Sequence, residues 1–532
     1  MYIQRYNRTK NGKQHQSVFL VESYREDGKV KHRHLANLSA LPQSAILAIE
    51  NELKGIKPPK ENTYSLEEIR PLQGKNCGAI ISIMQLAKRL GISTALGNTK
   101  EGKLALLQIM GRIICQGSRL HIASQWAATQ ALEEVIDMGF FNEDSLYENL
   151  SWLCDNQERI ENTLFKHRHK EKKIQSIYLY DVTSSYLEGT YNELAAYGYN
   201  RDGKKGKMQI VVGLLCDNEG YPISVEVFEG NTQDSTTVAA QLVKLQKRFG
   251  IKDVIMVGDR GMIKSAAIDT INDLNWYYIT AITKPQLEKL LKQDVLQLSL
   301  FTDQLMEVQA DGIRYVLRRN PQRAGEIQAS RTAKLAKVKV LIEAKNKYLA
   351  LHPKAKPEVA LKAVETKVKQ LKIQDWIILA TNDRMIEITM DEVAQKEAAT
   401  LDGCYVIKTN VPNKNAEKEI IHQRYKDLAL VESAFRTFKQ SFEELRPIYL
   451  RRADRTKGHV FICMLAYIII KYTCDQCKDL DITHKQIFRQ LDEIQYTIYN
   501  HKNIQLKVLP KELRQQTNDI INKLNIKLPD YL

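Results

Sequence analysis

Polar and apolar positions change rhythm several times along this chain, and each change predicts a different kind of element. Residues 1–42 alternate polar with apolar, with turn signals at Asn11-Gly12 and Asp27-Gly28. That pattern predicts a small β-rich module of hairpins. Gln16–Tyr24 is its clearest strand. Residues 75–170 read as helical. From residue 174 the period shortens again. Ile174–Tyr180, Met208–Cys216 and Tyr221–Phe228 read as strands, and Asp217–Gly220 turns the second into the third. A helix over Thr236–Phe249 follows, then strands over Asp253–Val257 and Trp276–Ile282. The order β-β-β-α-β-α-β predicts an α/β fold with a mixed sheet.

Further on, residues 286–415 carry strand-like runs near Gly312–Leu317, Trp376–Ala380 and Cys404–Thr409. Between them lies a Lys-rich helical region, Arg323–Lys372, broken at His352–Pro357. Its cations either track a phosphate backbone or form a solvated face. Tyr425–Lys439 reads as one amphipathic helix whose apolar stripe is Leu428, Val431, Phe435, Phe438 and Phe442. Val460–Ile470 is markedly apolar, but too short to span a bilayer, and reads as a buried helix. Gln85–Ile92 has the look of the first helix and turn of a helix-turn-helix. An ordinary helix ending at a glycine is the plainer reading.

Charge narrows the choice of partner. With 78 Lys and Arg against 63 Asp and Glu, the formal net charge is +15 in 532 residues. That length predicts several domains, and that charge favours a polyanion. An anionic membrane has no lipidation motif or strong anchor to support it, and a merely basic cytosolic protein has the same balance. The N-terminus shows no charged-then-apolar signal pattern. Eight scattered cysteines suit a reducing compartment, and Cys474 and Cys477 read as ordinary helix residues, not a zinc site.

Three acids stand out against this background. Asp181 and Asp259 each follow an apolar strand-like run, so both are expected at strand ends. Glu432 lies beside the apolar stripe of its helix, where Tyr425, Glu432 and Lys439 recur every seven residues on one face. Three carboxylates converging in an α/β domain suit hard divalent cations. A pair of such ions performs in-line attack on phosphodiesters. Taken alone, Glu432 reads rather as an ion-pair partner of Arg436, four residues on. Among other acids, Glu188 and Asp234 read as supporting residues or a helix cap. Asp217 reads as a turn residue, and His459 as a cap or local hydrogen-bonding group. Tyr197 and Tyr199 are either DNA contacts or, the favoured reading, core residues. The long stretch between Asp259 and Glu432 implies an inserted domain.

These motifs resemble those of bacterial insertion-sequence transposases of the DDE class, in the superfamily named after insertion sequence four. Members carry Tyr-x2-Arg-x3-Glu-x6-Lys around the glutamate, and Tyr425, Glu432 and Lys439 match at those intervals. Tyr180–Glu188, Gly198–Gly203, Gly230–Asp234, Gly258–Met262, Arg446–Tyr449 and the helix around His459 are similar to further family blocks. The likeness covers roughly residues 75–475. The arginine of the motif is replaced by Leu428, with Arg436 and Arg424 as possible substitutes.

The resemblance implies a ribonuclease-H-like core in two parts, residues 171–285 and 416–475, the second carrying Glu432. Residues 286–415 would be the inserted domain with basic helices. A β-hairpin module (1–70) and a helical, DNA-binding region (71–170) would precede the core, and a helical region (476–532) would follow it. Asp181, Asp259 and Glu432 would hold two Mg²⁺ or Mn²⁺ ions, with Tyr425, Lys439, Arg260 and Arg436 on DNA. Arg260 is as readily a local ion-pair partner. The partners implied are double-stranded DNA at element ends and target, and further copies of the chain on paired ends, in the bacterial cytoplasm at the nucleoid and with no membrane. The activity implied is cleavage of element ends and joining of the 3′-hydroxyls to target DNA. A nuclease that cuts without joining, and a non-catalytic DNA-binding descendant, are the alternatives.

Overall fold

The early alternation produces three antiparallel strands, Tyr2–Lys10, Lys13–Glu26 and Lys29–Asn37, in that spatial order. Asp27 and Gly28 take φ of 52° and 74° in the second turn, the left-handed pair that a two-residue hairpin requires. A helix, Gln43–Leu53, follows. The computed structural model describes residues 1–10, 13–56, 70–170, 176–440, 448–501 and 504–532. The Asn11-Gly12 turn, the Ile174 start of a strand, Phe442 and Arg446 therefore lie outside the described residues. Contacts divide the chain into one unit of Met1–Gly74, Thr497–Val508 and Tyr531, and another of Lys75–Tyr496, Leu509–Asp530 and Leu532.

The larger unit is built on an eight-stranded sheet. Its strands are β1 (Ile177–Tyr186), β2 (Gln209–Asp217), β3 (Pro222–Glu229), β4 (Ile255–Gly258) and β5 (Tyr277–Ala281). They continue with β6 (Met306–Ala310), β7 (Ile313–Arg319) and β8 (Cys404–Thr409). The spatial order is β6-β7-β8-β5-β4-β1-β2-β3. β1, β4 and β5 are parallel, and every other pairing is antiparallel. The sheet is thus mixed, and its first five strands come in the predicted order.

Six helices matter for the site: α1 (Glu143–Arg168), α2 (Asp234–Val243), α3 (Ser265–Asp273), α4 (Lys418–Lys426), α5 (Leu428–Gln440) and α6 (Ala453–Gln476). Tyr178, Tyr180 and Val182 of β1 share a core with Val238 and Leu242 of α2 and Ile271 of α3. Alternation sends Leu179 and Asp181 to the opposite face, where α5 packs on β1. The buried side of α5 is Leu428, Val431, Ala434, Phe435 and Phe438, the predicted stripe as far as it is described. Burying each of its larger side chains stabilises by about 1.5–3 kcal/mol.

Several expectations change. The segment 286–415 returns β6, β7 and β8 to the main sheet, so the sheet does not stop at its fifth strand. The part with a core of its own is the helix pair Pro321–Leu351 and Pro357–Leu371 with the hairpin Ile377–Asn382 and Met385–Met390, centred on Val338, Val364, Val368 and Trp376. The expected helical region 71–170 begins as a strand, Arg70–Asn76, and the expected helical tail holds strands Gln495–His501 and Ile504–Val508. The helix that carries Leu86, Gly78–Arg89, is followed closely by Gly91 (φ 77°), and eight of its residues from Gly78 to Ala87 are buried. That favours the plainer reading over a DNA-reading helix.

The Val460–Ile470 run sits inside α6, a 24-residue helix that by length and composition alone is long and apolar enough to cross a membrane. The expectation of too short a span is corrected to that extent. Most of the helix is nonetheless buried within its own unit, against α1 and the Lys100–Ile114 helix. Gly458 allows the close approach: a Cβ there would lie 2.0 Å from the carbonyl oxygen of Leu150.

Candidate active site

Asp181 is the fifth of ten residues in β1, so it lies within its strand and not at the end as expected. The strand runs on because Thr183, Ser184 and Ser185, though polar, are buried. Ser184 Oγ accepts the N–H of Arg201 at 2.8 Å. Asp259 directly follows β4, as expected, in a tight turn closed by the Met262 N–H on its carbonyl oxygen. Glu432 is exposed in the second turn of α5. These three carboxylates, from two strands and one helix, line a single cavity of about 360 Å³ with Arg201, Asp234, Arg436 and Lys439.

The crowding of like charge shows in Asp181. Burial, with Asp259 and Glu432 close by, pushes its carboxyl up to about 7, against the opposing pull of the Val182 N–H and Arg201. Excess negative charge of this kind, offered entirely by oxygens, fits a hard divalent cation. Among the described residues, no three His, Cys, Asp or Glu side chains stand close enough as they lie to hold an ion. The Tyr425 hydroxyl donates to Asp259 Oδ1 at 3.1 Å.

The predicted helix over Tyr425–Lys439 is divided at Asp427. Tyr425 belongs to α4, and Glu432 and Lys439 to α5. The Asp427 carboxylate is held by Gln423 and Arg424. Leu430 reaches back to the Asp427 carbonyl only three residues away, which tightens the turn. Lys439 does reach the cavity, but its ammonium lies 2.7 Å from Asp202, whose side chain is 2% exposed. Arg436 lines the cavity and makes no ion pair among the described residues, so it is not spent on Glu432. Arg424 is tied to Asp427. Leu428 is buried.

Arg260 is exposed and likewise has no ion pair among the described residues. It lines a neighbouring cavity of about 380 Å³ with Asp259, Lys284 and Tyr425.

Two residues were missed. Arg201 bonds Asp234 at 2.5 Å beside Asp181, and Asp202 receives Lys439. Both lie in Gly198–Gly203, whose similarity to a family block marked the segment but gave neither residue a role. Asp234 is the first residue of α2 rather than its cap, and its carboxylate goes to Arg201. Tyr197 and Tyr199 are 69% and 81% exposed, which overturns the favoured core reading. Asp217 is a turn residue, accepting the N–H groups of Glu219 and Tyr221, and is also held by Arg168. Glu188 pairs with Lys207 at 2.5 Å. His459 bonds Arg119, which is far away in sequence.

Comparison with known proteins places these features. Residues 172–469 match the family model described as transposase DDE domain. Residues 3–67 match that of the IS1634 family transposase N-terminal domain. No curated protein matches the sequence. Among solved structures, a piggyBac transposase synaptic complex with hairpin DNA aligns at 10% identity and TM-score 0.37, over 80% of this chain and 81% of that one. A Mos1 transposase paired-end complex with left transposon end aligns at 15% identity and TM-score 0.15, over 34% of this chain and 58% of that one.

Proposed function

The chain belongs to the DDE transposases of bacterial insertion sequences, and from that premise we propose that Asp181, Asp259 and Glu432 are its catalytic, metal-holding carboxylates. The observation that carries the reading is their convergence on one cavity together with the raised Asp181 carboxyl. The core formed by β1–β5, with α5 laid across β1, is read as ribonuclease-H-like. Divalent cations, Mg²⁺ or Mn²⁺ as a pair, would be held by these three residues and would supply a polarised nucleophile and charge neutralisation at the scissile phosphate.

The protein's own groups then do the positioning. Tyr425 would exchange its bond to Asp259 for one to a phosphate oxygen near the cut. Arg436 supplies a guanidinium in the cavity, where Leu428 cannot. Lys439, anchored by Asp202, would set the phosphate beside Glu432. Arg260 would hold the strand on the far side of Asp259. The reaction is end cleavage by water, then joining of the freed 3′-hydroxyl to target DNA, performed in the bacterial cytoplasm by copies of the chain on paired ends.

The test uses duplexes copied from the DNA bordering the coding region. With Mg²⁺, the wild type should cleave them and join pre-cut ends to a plasmid, and Glu432→Gln should do neither. A Glu432→Gln chain that still cleaves sinks the assignment. A wild type that cuts but never joins pre-cut ends reduces it to a nuclease.

A further inference from the structure

A second basic cavity, separate from the one that holds the carboxylates, lies elsewhere in the same unit. At the start of α6 a cavity of about 520 Å³ is lined by Arg119, Arg451, Arg452, Arg455 and His459, with Tyr147 and Tyr449. Its floor is built. Arg119 is 5% exposed and fixed by hydrogen bonds to Gln108 and to His459 Nδ1 at 2.9 Å. A guanidinium only donates, so Nδ1 accepts and the ring carries its proton on Nε2. The guanidinium groups of Arg119 and Arg455 lie 5.7 and 5.4 Å from the centre of the Tyr147 ring.

Two acids near the cavity, among the described residues, are engaged elsewhere. Asp454 holds Arg452 at 2.6 Å, and Glu193 accepts the N–H of Ala453. Arg451 and Arg455 make no ion pair among the described residues, and the buried Nε of Arg455 has no hydrogen-bond partner. A buried donor left unmet bears its full desolvation penalty. A cationic cavity with an unmet guanidinium N–H asks for an oxyanion.

We infer that this cavity is a second phosphate-binding site, which takes a backbone phosphodiester of the DNA whose cleavage is proposed above. It is joined to the active site by a strand. Leu187, the residue after β1, bridges to Ile448 at the cavity wall, and the Glu188 N–H donates to the Ile448 carbonyl. From Asp181 to Leu187 is on the order of 20 Å at about 3.3 Å per residue. That is about six base pairs of duplex at 3.4 Å per nucleotide along one strand. A site at that spacing would grip the same duplex that is cut, on the order of half a turn away if the strand runs along it, and would fix its angle to the carboxylates. The inference rests on the transposase reading but not on any residue of the active site.

The experiment measures binding of the full-length chain in EDTA to a labelled duplex of about three helical turns copied from the element's border, across a salt series. Wild type is compared with Arg455→Gln, Arg451→Gln and Arg455→Lys. Losing one phosphate contact should lower the slope of log affinity against log salt by about 0.9. Each glutamine variant should weaken binding several-fold, and the lysine variant should keep the slope. Single neutral methylphosphonates should weaken wild type at one position about six base pairs from the cut, and leave Arg455→Gln indifferent there. Unchanged slopes, with no such position, overturn the site. If inorganic phosphate raises the melting temperature of wild type but not of Arg455→Gln while the DNA slopes agree, the cavity serves a free anion and the DNA assignment is overturned. A wild type that binds and cuts no border duplex overturns the transposase reading first, and this assignment with it.

Discussion

The Tyr425 hydroxyl donates to Oδ1 of Asp259 across 3.1 Å, from the last turn of α4 to the end of β4. Burial and the Asp259 carboxylate raise the phenol well above its ordinary value, so it stays a donor at any working pH. One hydroxyl thus takes up one of the lone pairs that the Asp259 carboxylate could otherwise offer a cation. Tyr425→Phe removes that bond with little change in packing and should cost about 1 kcal/mol of stability. Mn²⁺ binding measured by calorimetry should stay level or tighten, since an Asp259 lone pair is freed. End cleavage should fall on the order of tenfold, the scale of about 1.4 kcal/mol in the barrier. Cleavage at the wild-type rate would leave Tyr425 as a prop for Asp259 and nothing more.

Asp181 makes stability depend on pH in a definite direction. Its folded-state value of about 7 lies above the ordinary 3.8. Between those values the folded chain keeps a proton that the unfolded chain releases. The contribution is therefore full below the ordinary value, falls as pH rises by up to roughly 1.4 kcal/mol per unit, and is gone above the folded value. In EDTA, Asp181→Asn should gain on wild type in melting temperature between pH 5 and pH 8. Mn²⁺ at pH 8 should return the advantage to wild type. The same gap at both pH values, with no metal effect, would count against a charge-crowded site.

How much of this was readable beforehand follows from where the partners are. Asp259 was legible because the apolar residues of β4 and the following glycine are local. The extension of β1 through Thr183-Ser-Ser185 was not, because their burial depends on neighbours such as Arg201, 17 residues beyond Ser184. The edge of the sheet was hidden for the same reason: Ile407 of β8 pairs with Ala281 of β5 across more than a hundred residues. Helical spacing correctly gave the buried face of α5, but could not show that Asp427 is drawn off by Gln423 and Arg424. Nor does any local pattern distinguish the exposed rings of Tyr197 and Tyr199 from the buried one of Tyr180.

Lys439 carries a second role that its motif spacing does not reveal. It stands 2.7 Å from Asp202, a carboxylate 2% exposed. Breaking such a pair from the cationic side leaves a buried charge without that partner and typically costs about 3–5 kcal/mol. Lys439→Met should therefore lower the melting temperature markedly, in addition to abolishing cleavage. Adding Asp202→Asn should recover most of the stability, because the stranded charge is gone, while cleavage stays lost. A double variant as unstable as the single one would show that Asp202 is held by its other contacts.

The replacement of the motif arginine by Leu428 leaves two guanidinium groups to compare, and the structure separates them. Arg436 lines the carboxylate cavity and is unpaired among the described residues, whereas Arg424 is held by Asp427 at 2.8 Å. Leu428 is buried with the apolar face of α5, so returning an arginine there would bury a charge and should destabilise the chain. Arg436→Gln should leave the melting temperature near wild type, since an exposed unpaired side chain contributes little. Its slope of log affinity against log salt on border duplex should fall by about 0.9, one phosphate contact. Cleavage should drop by one to two orders of magnitude, about 1.4–2.8 kcal/mol. Arg424→Gln should do the reverse: a small loss of stability from the α4–α5 junction, and an unchanged slope. If the slope follows Arg424 instead, the phosphate is held from α4, and Arg436 is a solvated surface charge.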